Sequence, residues 1–143
     1  MFDQYSEDAR IAIFWARVIA GRRGAQTIET EDLLAALVEQ DQRPRGERKR
    51  PMFFASKTAD ALLQAVDRPP VGPAVPHGTD MAISRPMQEV LKRASEIAGQ
   101  RGQTTVTPLH LLAAIMHEDA TRPSQLLREN GITDHSLEQA LAG

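Results

Sequence analysis

Cysteine is absent from this chain of 143 residues, which excludes disulfides, cysteine zinc sites and thiol nucleophiles. Aromatic residues are few, at 4%, and a net charge of −2 lacks the basic excess expected of a dedicated nucleic-acid or membrane-surface binder. The longest apolar runs have six residues, too few to span a bilayer, and no apolar signal segment follows the N-terminal methionine. We therefore expect a soluble, cytoplasmic protein with one well-buried core.

The chain repeats itself at a fixed spacing. A gapless shift of 78 residues lays residues 6–41 over 84–119 with 13 identities in 36 positions, where roughly two are expected by chance. The identities include the tetrapeptide Leu-Leu-Ala-Ala in both copies. We predict a single domain over 1–143, divided into repeat one (1–66), a linker rich in Pro and Gly (67–82) and repeat two (83–143).

Both copies are patterned as helices. Ser84 is a good N-cap, and apolar residues follow it at helical spacing until Gly102, while Ser6 and Gly24 bound the equivalent helix of the first copy. Further helices are predicted to begin at Thr30, Thr107, Arg122, and Thr133 or Asp134. No strand pattern extends beyond a residue or two at 26–29. The predicted fold class is all-α, with two tandem four-helix-type repeats packed about a pseudo-twofold axis so that each covers the apolar stripe of the other.

The first helix carries a second apolar stripe that its copy lacks. The stripe consists of Ile11, Phe14, Trp15 and Val18, at i, i+3, i+4 and i+7. The second copy has Glu89, Lys92, Arg93 and Glu96 at these positions. Either Met52, Phe53 and Phe54 fold over the stripe, or it forms a partly open groove for an adaptor or an unfolded segment. The apolar binding candidates are Phe14, Trp15, Phe53 and Phe54.

Two duplicated stretches carry a resemblance to a known family. Residues 24–37 (GAQTIETEDLLAAL) and 102–115 (GQTTVTPLHLLAAI) resemble the recurring Gly-His-x-x-Ile-Gly-Thr-Glu-His-Leu-Leu-x-Gly-Leu of the Clp N-terminal domain. This double-repeat helical module stands at the front of the Hsp100/Clp AAA+ unfoldases, and the resemblance covers nearly the whole chain. It implies a non-catalytic protein-interaction module that binds adaptors or unfolded or tagged substrates for an AAA+ Clp ATPase and its protease.

The resemblance also implies a polar site in the first copy. Glu31 occupies the position of the family's motif acid, beside that of Ser6; in some members this acid, in both repeats, pairs with the guanidinium of phosphoarginine marks on substrates. The second copy has Ser84 but Leu109 instead of the acid. We therefore assign polar recognition to Ser6 and Glu31 and do not expect two working pockets. Alternatively, Glu31 only satisfies the helix dipole as a first-turn acid.

Patterns for catalysis and metal binding are missing from the sequence. It contains no Gly-x-x-x-x-Gly-Lys-Ser/Thr phosphate loop, no nucleophile elbow and no histidines at metal-ligand spacing. We predict that the chain is not an enzyme and uses no cofactor. The alternative function is a helical protein that binds nucleic acid or an acidic partner through the basic loop 43–50, with an affinity that falls steeply with salt.

Overall fold

A computed structural model describes residues 4–43, 52–76 and 78–142 of the chain. The helices are α1 (Glu7–Arg22), α2 (Thr30–Gln42), α3 (Ser56–Val66), α4 (Arg85–Gln100), α5 (Pro108–His117), α6 (Arg122–Glu129) and α7 (Asp134–Ala142). The strands, β1 (Thr27–Ile28) and β2 (Ala82–Ile83), have two residues each. The prediction of an all-α fold is confirmed. Within the described ranges, three helices precede the predicted linker and four follow it.

Helices α1 and α4 begin and end at the predicted residues. The hydroxyl oxygens of Ser6 and Ser84 each accept a hydrogen bond from the backbone N–H three residues on, at 3.0 and 3.3 Å. Both helices stop just before a glycine with positive φ, 78° at Gly24 and 71° at Gly102. Helix α6 likewise ends before Gly131, with φ 86°. These three turns have the left-handed backbone that glycine adopts most easily.

The second helix of each half begins with a capping box. In the first half, the Glu29 N–H donates to Asp32 Oδ2 at 2.8 Å. In the second half, the Thr107 N–H donates to His110 Nδ1 at 2.9 Å. Asp32 and His110 are equivalent under the 78-residue shift, and both are buried. A carboxylate and an imidazole therefore perform the same task of satisfying a free N–H at a helix start.

Short parallel strand contacts join the two halves. Ile28 of β1 is opposite Ile83 of β2, and an isolated parallel bridge joins Tyr5 to Val106. Under the 78-residue shift, Tyr5 is equivalent to Ile83 and Ile28 is equivalent to Val106. The Tyr5–Val106 contact is therefore the counterpart of the Ile83–Ile28 contact, as packing about a pseudo-twofold axis requires. No pattern in the sequence predicts strand β2, and its first residue, Ala82, lies in the predicted linker (67–82).

A continuous apolar core runs through both halves, with α2 and α5 at its centre. These helices contact each other, and α2 also contacts α1, α3, α4 and α6. The repeated Leu-Leu-Ala-Ala segments are buried, with Leu33, Leu34 and Leu111 fully inaccessible. Each such leucine contributes about 1.5–3 kcal/mol by leaving water. No helix in the described ranges is both long and apolar enough to cross a membrane.

Part of the segment predicted as a linker packs on the end of α1. The Val71 N–H donates to the Arg23 carbonyl oxygen, and the Val75 N–H to the Gly21 carbonyl oxygen, both at 2.8 Å. The contact is close, since a Cβ on Gly24 would lie 2.5 Å from the carbonyl oxygen of residue 72. Carbonyl groups at the end of a helix lack N–H partners from a following turn. This segment donates N–H groups to two such carbonyl oxygens, those of Gly21 and Arg23.

Candidate partner-binding surface

Helix α1 presents large apolar side chains to solvent. Phe14 is 62% exposed and Ile11 is 44% exposed, whereas Trp15 is half-buried. Val18, the fourth member of the predicted stripe, is buried. We call Ile11, Phe14 and Trp15 the α1 face. Adjacent exposed apolar side chains of this size are typical of interaction sites.

The segment after the basic loop leaves the α1 face open. Phe54 lies in the core at 3% exposure, and Phe53 packs edge-to-face against it with ring centroids 5.0 Å apart. The Asp41 carboxylate fixes both residues by accepting their backbone N–H groups at 2.8 and 3.0 Å. Met52 is itself exposed. The interpretation that this segment covers the stripe is therefore wrong for the outer part around Phe14.

The location of Phe54 also changes the set of surface residues. Its side chain is enclosed because Asp41 holds the backbone at the end of α2 and directs the ring inward. We therefore leave Phe54 out of the proposed binding surface. Phe53 stays half-buried and packs against the core.

Polar contacts fix the orientation of Trp15. Its Nε1–H donates to Glu39 Oε2 at 2.7 Å, and the guanidinium carbons of Arg22 and Arg43 lie 5.0 and 5.3 Å from the ring centroid. Cation–π contacts of this kind contribute about 0.5–1 kcal/mol each at exposed sites. The ring also lines a cleft between α1 and α2. The other lining residues are Ile11, Ala12, Ala36, Gln40 and Arg43.

Sequence patterns did not single out the two carboxylates that organise this region. Glu39 orients Trp15, and Asp41 holds residues 53 and 54. Both lie near the C-terminal end of α2, where the helix dipole disfavours negative charge. An acidic residue near the C-terminal end of a helix therefore indicates that its carboxylate has a hydrogen-bond partner elsewhere in the fold.

Ser6 and Glu31 lie at the starts of two different helices. The Ser6 hydroxyl already accepts the α1 capping bond, and Glu31 is half-buried in the first turn of α2. No hydrogen bond or ion pair of Glu31 is found among the described residues, and it does not bond to Ser6. In the second half, Ser84 is buried and Leu109 half-buried. Polar recognition by Ser6 and Glu31 stays a prediction.

Of the predicted basic loop 43–50, Arg43 belongs to the described residues. Residues 44–50 lie outside the described part of the chain, and Arg43 belongs to the surroundings of Trp15. Across the described ranges, no three His, Asp or Glu side chains come close enough together to hold a metal ion.

Comparisons with known proteins match this architecture. The family model of the Clp repeat (R) N-terminal domain matches residues 53–143. ClpB of Mesorhizobium japonicum is 27% identical over 147 aligned positions, and ClpB of Vibrio vulnificus is 29% identical over 145; each alignment covers 97% of this chain. The chain spans only 16% of the length of either relative.

Two solved structures are similar in fold. The N-terminal domain of ClpD from Arabidopsis thaliana matches with a TM-score of 0.71 at 20% identity, covering 100% of this chain and 97% of that one. The N-terminal domain of Hsp104 from Candida albicans matches with a TM-score of 0.64 at 15% identity, covering 96% and 88%. At these identities the likeness concerns the fold alone.

Proposed function

Because the chain belongs to the Clp repeat N-terminal domain family, we propose that it is a non-catalytic module that binds adaptors or unfolded segments for an AAA+ Clp unfoldase and its protease. Domains of this family are in general substrate- or adaptor-binding modules of Hsp100 chaperones. These 143 residues contain no nucleotide-binding phosphate loop, so ATP hydrolysis has to come from an AAA+ module. The proposed setting is the cytoplasm.

The exposure of Phe14 is the observation that supports this proposal most directly. A phenylalanine that is 62% exposed, next to Ile11, offers apolar area that a partner could remove from water at about 25 cal/mol per Å². The equivalent positions of the second half hold Lys92 and Glu89, which interact well with water. The two halves therefore differ at the position where a recognition surface is proposed.

The polar part of the proposed recognition uses Ser6 and Glu31. A half-buried carboxylate without an ion pair could accept hydrogen bonds from a cationic group of a bound segment. Trp15 and Phe53 would add apolar contact, since both residues are only half-buried.

Binding to a permanently unfolded protein tests the proposal. Reduced, carboxymethylated and dye-labelled lactalbumin is titrated with the chain and followed by fluorescence anisotropy, with native lactalbumin as the folded comparison. We expect the unfolded form to bind and Phe14→Ser to weaken its binding about tenfold, a loss of about 1.4 kcal/mol.

The matched control is Lys92→Ser, at the position of α4 that corresponds to Phe14. It introduces the same side chain on the opposite half and should leave the affinity unchanged. Absence of binding by the wild-type chain, or equal binding of folded and unfolded lactalbumin, would overturn the proposal.

A further inference from the structure

Arginines flank the exposed aromatic residue of α1. Arg10 precedes Phe14 by four residues and Arg17 follows it by three, so both are its neighbours on the helix surface. The guanidinium carbon of Arg22 lies 5.0 Å from the centroid of the Trp15 ring. The apolar part of the α1 face is thus bordered by three cations.

None of these three arginines has a carboxylate partner among the described residues. Arg10 is exposed and makes no ion pair there, and Arg22 contacts the indole ring. Arg17 donates to the backbone carbonyl oxygens of Pro76, at 3.1 Å, and of Thr79. Carbonyl oxygens satisfy donors but leave the positive charge uncompensated. The local charge therefore stays available to a partner.

The acids near the α1 face form no ion pair with these arginines among the described residues. Glu7, three residues before Arg10, and Asp8 lie in the first turn of α1. Across the cleft, Glu39 accepts the Trp15 indole N–H and keeps its negative charge on the Arg22 side of the face. The outer positive charge is therefore that of Arg10 and Arg17. Helix α4, by contrast, interleaves both signs on its corresponding surface, with Glu89, Lys92, Arg93 and Glu96. The combination of exposed apolar side chains with arginines that form no described ion pair is a property of α1.

We propose that the α1 face selects protein segments in which an apolar anchor residue is flanked by acidic residues. This inference rests on the proposed function and specifies its substrate class. The anchor packs on Phe14 and Ile11. One acidic neighbour pairs with the exposed Arg10 guanidinium through two parallel hydrogen bonds, and the other is attracted by the charge of Arg17, whose Nη2 group stays bonded to the carbonyl oxygens of Pro76 and Thr79. Charge complementarity of this type selects partners and speeds their encounter. A segment with basic flanks is repelled.

A protein segment fits the surface better than a nucleic acid does. The chain has a net charge of −2 and only six aromatic residues, of which Phe14 alone is exposed by more than half within the described ranges. Single-stranded nucleic acids bind to a positively charged groove with several stacking rings. One exposed ring with an aliphatic neighbour is suited to an apolar side chain.

Three synthetic peptides test the charge selection directly. They share one apolar anchor sequence and differ only in their flanks, which consist of Glu, Gln or Lys. Anisotropy titrations with the full chain at low salt should give affinities in the order Glu, Gln, Lys, with about a tenfold step between Glu and Gln. High salt should reduce this advantage because it screens exposed charges.

Arg10→Gln is the diagnostic variant, since Arg10 is exposed and its loss breaks no described contact. It should reduce the preference for the Glu peptide at least threefold, whereas Arg93→Gln on α4 should not change it. Equal affinities for the Glu and Lys peptides, or no reduction in Arg10→Gln, overturn the charge proposal even when unfolded lactalbumin still binds.

The remaining outcomes separate this inference from the function on which it rests. If no peptide binds while unfolded lactalbumin does, only the inference fails. If neither binds, the proposed function fails as well. Tighter binding of a single-stranded oligonucleotide than of the Glu peptide, lost in Arg10→Gln, overturns the inference in favour of nucleic acid.

Discussion

The backbone N–H of Ser6 donates to the carbonyl oxygen of Val106 at 2.9 Å, which joins the start of the first helix to the opposite half of the molecule. At the equivalent position, the Ser84 N–H donates to the Ile28 carbonyl oxygen at 3.0 Å. Each serine therefore caps a helix with its hydroxyl and joins the two halves with its backbone. The repeat of 78 residues in the sequence thus corresponds to a pair of equivalent hydrogen bonds between the two halves.

Removing either serine hydroxyl should weaken the fold by a similar amount. Ser6→Ala and Ser84→Ala each lose a helix cap and are expected to lower the free energy of unfolding by about 1 kcal/mol. The backbone bonds to the opposite half remain. Urea unfolding followed through the single tryptophan, Trp15, measures the change. The double variant should be additive because the caps are separate. An effect of Ser6→Ala below about 0.3 kcal/mol would contradict the importance of its cap.

Two glycine turns give a matched test of how tightly residues 71–75 pack on α1. Gly24 and Gly102 both have positive φ, so alanine should cost about 1 kcal/mol or more at either. Nothing lies within 4 Å of a Cβ on Gly102, whereas a Cβ on Gly24 would meet the backbone at Gly72. Gly24→Ala should therefore lower the melting temperature well below that of Gly102→Ala. Equal melting temperatures would show that residues 71–75 yield easily.

The buried carboxylate at the start of α2 is expected to be the most sensitive charged position. Asp32 is 2% exposed, and the Nη2 atoms of Arg23 and Arg68 lie 3.0 and 3.2 Å from its Oδ1. Asp32→Ala leaves two arginines and the Glu29 N–H without this acceptor, which should cost about 3–5 kcal/mol. Asp60→Ala on the exposed side of α3 is the control and should stay within about 0.5 kcal/mol. Denaturant unfolding of the two variants compares them; equal stability would contradict the role of Asp32.

Local signals explain how much of the fold the sequence could predict. Caps such as Ser84, the Pro108 start of α5 and the Gly131 turn lie within a few residues of the helix ends they specify, so the predicted helices were found. Strand β2 could not be predicted, because two residues show no alternation and its partner β1 lies in the other half. Its existence depends on how the halves pack.

The candidate surface was predictable in position but not in extent. The apolar stripe and its charged counterpart marked α1 from the sequence alone. Whether Phe53 and Phe54 would cover it depended on Asp41, whose carboxylate bonds to backbone N–H groups 12 and 13 residues away. Such bonds use the backbone N–H and do not depend on the side chains of the two residues that Asp41 holds. They therefore cannot be recognised from the sequence.

The single tyrosine predicts a specific alkaline behaviour. Tyr5 is buried, and its hydroxyl donates to the Leu91 carbonyl oxygen at 3.4 Å. Burial raises the pKa of the Tyr5 phenol above its ordinary value of 10.0, and a hydrogen bond with Ser95 offsets part of this shift. Because the chain has one tyrosine, the ultraviolet absorbance of the phenolate against pH reports this group alone. Its midpoint should lie above that of the unfolded chain.

The raised pKa fixes the sign of the stability change. In the pH range below about 10 the phenol is neutral in both states; above it, the unfolded chain ionises first and is favoured. Tyr5 therefore contributes stability that is lost as pH rises through the folded pKa, by at most about 1.4 kcal/mol per pH unit. Tyr5→Phe removes this ionisation, so its free energy of unfolding should fall less steeply in alkaline urea titrations. Identical slopes for the two proteins would mean that the phenol ionises equally well in the folded and unfolded states, which contradicts the burial of Tyr5.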